Sequence, residues 1–174
     1  LEFWLHSLGR AQTNVVAGLD KSGASARSVA LPDGVRCESL AASATGVVVC
    51  DTGAQLWLLR EGKEPENISA RGGAWVGNSL WLMEGEKLSR FEDDGAHLIR
   101  KFGPVALDTE SAPQRLYAQD EHLWVLDGFS HLLHFDLKEA APAPSSFWLP
   151  APFDLAASDY NSRAAYGTTP DGAL

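Results

Sequence analysis

The chain has 174 residues, 45% of them apolar and 21% charged, which is enough for one domain with a true core. Its 14 lysines and arginines stand against 23 carboxylates, a net charge of −9 with no basic run, which argues against nucleic-acid and anionic-membrane partners. No stretch of about 18 apolar residues occurs, so the sequence holds no candidate for a membrane-spanning helix.

Short apolar segments bounded by Gly, Pro, Asp and Ser follow one another from end to end. Residues 1–31 read as three strands, with Phe3-Trp4-Leu5 in the first. Residues 35–70 read as four: Leu40-Ala41-Ala42-Ser43, Val47-Val48-Val49, a third from Leu56 and an outer strand. Residues 71–103 repeat that order, with Gly73-Ala74-Trp75-Val76, Leu80-Trp81-Leu82, a third from Leu88 and an outer strand over 96–102. Residues 113–150 repeat it again, with Leu116-Tyr117-Ala118, a second strand from His122, a third from His131 and Phe147-Trp148-Leu149 outermost. Residues 154–168 supply the first two strands of a further unit, the second around Ala164-Ala165-Tyr166. The glycines and prolines leave no clean amphipathic stretch for a helix.

Phe3, Val47, Leu80, Leu123 and Ala164 open comparable segments 44, 33, 43 and 41 residues apart. Within units the spacing is tighter: seven residues from first to second strand, and nine, eight and nine from second to third. A period near ~40 residues built from four short strands is the imprint of a β-propeller blade. The expected fold is therefore all-β: a propeller segment of four-stranded antiparallel blades, three complete and one partial at either end. First strands hold small residues, as strands converging on an axis must. Second strands are apolar without alternation, as expected where both faces are covered. Trp4, Trp81 and Trp124 share one register there and are expected to fill gaps between blades; Trp57 and Trp75 are expected to join the core. Both ends break off in mid-pattern, so the expectation is a segment of a longer polypeptide, with four-bladed closure as the alternative.

Two cysteines are present. A hairpin turning near Thr45-Gly46 sets Cys50 opposite Ala41, and Cys37 then lies too far along the strand for a disulfide. The expectation is two free, buried thiols and, from them, a reducing compartment.

The segments Val47-Val48-Val49-Cys50-Asp51-Thr52-Gly53, Leu123-Trp124-Val125-Leu126-Asp127-Gly128 and Leu132-Leu133-His134-Phe135-Asp136 resemble blades of the NHL, YVTN and regulator-propeller kind. The Gly-His and Trp-Asp pairs of WD-repeat proteins and the Asp-box of sialidases are missing. The resemblance implies a propeller architecture serving as a binding platform, and it carries over no catalytic residue.

Asp51, Glu84 and Asp127 each fall four residues after the start of a second strand. Set on one rim of a channel mouth, with Glu86 beside them, they could hold a cation or a basic loop of a partner. Each is also a good turn former. The polar loop 104–114, with Asp108 and Glu110, is expected at the same mouth, or is a tolerated insertion. Among His6, His97, His122, His131 and His134, no spacing suits a metal. His131 and His134 point to opposite faces of one strand, and His122, just past a tight turn, is expected at the surface. No nucleophile elbow or phosphate loop occurs. Asn67-Ile68-Ser69 matches a glycosylation acceptor.

The function expected is a non-catalytic binding or scaffold module, partnered by another protein or by further blades, with no cofactor. Two alternatives stay open: part of a propeller lyase or hydrolase with a channel-mouth site, and a structural subunit completing its ring with another chain.

Overall fold

A computed structural model describes residues 3–8, 14–19, 22, 25–109, 113–127, 131–138, 142–148, 154–158 and 165–168. Those residues form strands and turns, with no helix among them. The chain divides into two compact units, Leu1–Arg71 and Gly72–Leu174.

The first unit opens with a three-stranded antiparallel meander, β1 (Phe3–Leu8), β2 (Asn14–Leu19) and β3 (Ser25–Ala30). A four-stranded meander follows: β4 (Ser39–Ala42), β5 (Val48–Asp51), β6 (Leu56–Leu59) and β7 (Glu66–Ile68). The turn from β5 to β6 is built by its own side chains. The Gly53 amide donates to Asp51 Oδ1 at 2.7 Å, and the Thr52 amide donates to the Gln55 carbonyl at 3.0 Å. A carboxylate that satisfies the amide two residues on fixes the reversal locally. Val16, Val29 and Leu31 bury against Val48, Cys50 and Leu59, with Trp57 half-buried at the edge of this core.

The second unit holds two four-stranded meanders. The first is β8 (Gly72–Val76), β9 (Ser79–Met83), β10 (Lys87–Asp93) and β11 (Leu98–Ala106). The second is β12 (Pro113–Gln119), β13 (His122–Asp127), β14 (His131–Asp136) and β15 (Pro144–Trp148), followed by the pair β16 (Asp154–Ser158) and β17 (Ala165–Thr168). Alternate residues of β9 and β13 face opposite ways. Trp81 and Met83 therefore meet Leu123, Val125, Leu133 and Phe135 in one core between the two sheets, together with Ala74, Leu88 and Leu107. Trp124 and Leu126 line the opposite face of β13 with Leu132 and Tyr117. The second strand β9 is buried from Leu80 to Met83, as its unbroken apolar run requires. Trp81 is 1% exposed and meets Phe102 at 5.8 Å; Trp75 and Trp124 are also buried. The side chain of Trp4 lies outside the described residues.

Small residues let first strands approach. A Cβ on Gly72 of β8 would stand 3.3 Å from the Leu116 Cβ of β12 and 3.1 Å from Met83 Cε. The two first strands of this unit pack together at that point.

Two expectations are corrected. Cys37 and Cys50 are disulfide-bonded, with Cα atoms 5.3 Å apart. The expectation ran β4 straight back to residue 37 and set Cys50 opposite Ala41. In the structure Cys50 pairs with Leu40, and β4 begins only at Ser39. Pro32 to Val35 form a turn closed by the Val35 amide on the Pro32 carbonyl at 3.1 Å, and the chain leads from it into β4 with Cys37 bonded to Cys50. The free thiols, and the reducing compartment inferred from them, lose their basis. The outer strand β11 also runs to Ala106, and β12 begins at Pro113, so residues 104–106 and 113–114 of the loop read over 104–114 lie in strands.

Candidate functional site

The carboxylates singled out in the sequence fall at equivalent points of their sheets. Asp51 ends β5, Glu84 follows the last residue of β9, and Asp127 ends β13. In the first unit, Asp51 sits where the chain enters the sheet, its carbonyl accepting the Glu38 amide at 2.6 Å. Its side chain serves the Gly53 amide, as described above.

In the second unit Glu84 and Glu86 lie in the turn after β9, and Asp108 follows the end of β11. The turn from β9 to β10 is closed by the Glu84 amide on the Lys87 carbonyl at 2.8 Å. The Leu107 amide donates to the Glu86 carbonyl at 2.9 Å, pinning the end of β11, and with it the exposed Asp108, to that turn. The chain then enters the next sheet at Pro113, whose partner in the ladder is Asp127. Glu110 and the Asp127 side chain lie outside the described residues.

Glu84 is engaged within its own sheet. Arg100 Nη2 donates to both of its oxygens at 3.0 Å, and the fully buried Ser89 hydroxyl donates to Oε2 at 2.6 Å. Arg100 in turn lies over the Phe91 ring at 5.1 Å. The guanidinium offsets the carboxylate charge, so Glu84 ties β9, β10 and β11 together. Asp108 and Glu86 are exposed and leave their charge at the edge.

The histidines are arranged differently from expectation. His122 is 7% exposed rather than at the surface, and its Nδ1 lies 3.0 Å from His134 Nε2. The rings stack at 5.1 Å and 27°, with Trp124 at 5.7 Å from His122 and 5.2 Å from His134. Tyr117 meets Trp124 at 6.3 Å. Burial, and then His122, hold the His134 imidazole below the usual histidine range, against the opposing pull of Asp136. The Lys138 amide, donating to Asp136 Oδ1 at 3.1 Å, holds that carboxyl below the ordinary carboxylate range. Strand parity was the available signal: positions 122 and 124 on one strand and 134 and 136 on the next share a face once the register is known. His131 has a different partner, Trp148, whose ring stacks on it at 4.6 Å. His97 is exposed in the turn before β11, and the His6 side chain lies outside the described residues. Among the described residues, no group of three or more His, Cys, Asp or Glu is placed to hold a metal ion.

No protein-family model matches the sequence, and no curated protein matches it. Solved structures do resemble it. Virginiamycin B lyase from Staphylococcus aureus aligns over 99% of this chain at 15% identity and a TM-score of 0.59. Hsv2 from Kluyveromyces lactis aligns over 87% at 7% identity and the same TM-score of 0.59. The fold is of the β-propeller type. At such identities the likeness concerns the fold alone. This chain spans 64% of the first structure's length and 50% of the second's.

Proposed function

We propose that this chain is a non-catalytic β-propeller module that binds a protein or ligand within a larger protein or assembly. Among propellers, its strand-to-Asp turns favour blades of the NHL or YVTN kind. The carboxylates assigned to binding are Asp51 in the first unit and, separately, Asp108 and Asp127 in the second. One observation carries this reading. The Leu107–Glu86 backbone bond holds the exposed Asp108 at the turn of the second unit that carries the exposed Glu86, on the rigid support of the sheet. The groups with chemical potential elsewhere in that unit, Glu84 and the His122–His134 pair, are bonded within the fold. A rigid sheet edge that presents exposed carboxylates suits recognition of a basic surface.

The test is a binding measurement on the full-length protein. Neutralising Asp51, Asp108 and Asp127 together to Asn should weaken association with the partner by at least about tenfold, with the melting temperature held. Unchanged affinity would remove these carboxylates from the reading.

A further inference from the structure

A sheet edge presents unpaired backbone N–H and C=O groups, and a bare edge is a template for another strand. Among the described residues, the outermost strands β7 and β11 are guarded. β7 is three residues long, and its Glu66 pairs with Arg60 Nη1 at 2.8 Å. β11 contains Arg100 and Lys101, and its ladder with β10 is irregular between Leu88 and Phe91.

β15 differs. Pro144-Ser145-Ser146-Phe147-Trp148 contains no charge, pairs with β14 in unbroken register and is exposed at all five positions. Proline guards only its first residue. Phe147 is 49% and Trp148 59% exposed, the two most exposed large hydrophobic side chains among the described residues. They point to opposite faces, so they flank the free edge on both sides. Trp148 is held in place by its stack on the buried His131.

We propose that β15 takes up an extended segment of a neutral or basic protein partner as a fifth strand of its sheet. The proposal rests on the binding-module reading and names a partner class and a second surface for it. Main-chain hydrogen bonds supply the attachment, and the two aromatics supply apolar area against alternate side chains of the incoming strand. Charge selects the partner: at a net −9 the chain repels an acidic strand and repels a second copy of itself.

The test uses the full chain and short synthetic peptides read by fluorescence anisotropy. One peptide alternates valine with lysine, the second alternates valine with glutamate, and the third is the lysine peptide N-methylated on alternate amides. The lysine peptide should bind at least about tenfold more tightly than either of the others. Ser146→Lys, which places an edge guard at the centre of β15, should lower its affinity by a similar factor while the far-UV circular dichroism is kept. Asp108→Asn with Asp127→Asn should leave this uptake intact, which separates it from the binding carboxylates proposed above. Equal binding of the N-methylated peptide would mean charge attraction without strand pairing and would overturn the proposal; it needs no variant, so it decides even if Ser146→Lys fails to fold. Sedimentation showing a dimer that Ser146→Lys dissolves would overturn the choice of partner in favour of a second copy.

Discussion

At the scale of single residues, burial and bonding separate the side chains that hold the fold from those left to meet a partner. Trp81 fills the space between two sheets, so Trp81→Ala should lower stability by about 3–5 kcal/mol in urea denaturation. Glu84→Ala should cost about 1–3 kcal/mol, because it strands the buried Ser89 hydroxyl. Asp51→Asn keeps an acceptor for the Gly53 amide and should stay within about 0.5 kcal/mol. Comparing the two assigns Glu84 to the fold. His134 gives stability a pH dependence. Its imidazole titrates lower in the folded chain than the ordinary 6.5, so the unfolded chain takes up the proton first as pH falls. The contribution is whole above about pH 6.5 and is lost as pH drops from there toward the folded value. Urea midpoints at pH 7.5 and 5.5 should show the decline, and His134→Gln should reduce it. The place of Trp81 was legible because a second strand apolar at every position must be covered on both faces. The place of His122 was not. The tight turn beside it consists of Asp120, at φ 52°, and Glu121, which reaches Lys138 at 3.5 Å, and these two take the solvent. His122 is already the first residue of a covered strand.

Among the elements, the four-strand meanders were legible because every pairing within them joins strands consecutive in the chain. Asp51-Thr52-Gly53 announces its reversal in three letters. Features that depend on where the chain goes between elements were not legible. The path of residues 32–38, which sets the disulfide, starts from a turn at Pro32 that leaves no periodic mark. The equal spacing of Asp51, Glu84 and Asp127 could be read from the sequence; that Glu84 is bonded by Arg100, from a strand two places away, required the sheet itself. Gly103 of outer strand β11 lies at φ 81°, where a Cβ would stand 2.5 Å from the Leu88 carbonyl oxygen. Gly103→Ala should therefore destabilise by more than about 1 kcal/mol, read as a lower melting temperature.

At the scale of the whole molecule, the repeat gave the fold class, and solved structures of unrelated sequence share it. The same generality explains why the fold was readable and the partner was not: sheet order constrains the small inner residues and the buried tryptophans, while loops and outer edges vary freely. The division into two units makes a further expectation. Reducing the bond between Cys37 and Cys50 should lower the stability of the first unit by about 2–4 kcal/mol and leave the second unchanged, as read by amide exchange in each. That bond also governs how the protein would break. Ala44 and Thr45 are exposed in the reversal between β4 and β5, where a protease can reach the backbone. Because residues 37 and 50 lie on either side of that tip, a chain nicked there stays one covalent body. It would run as a single band on a gel until a reductant is added, and then fall into two fragments.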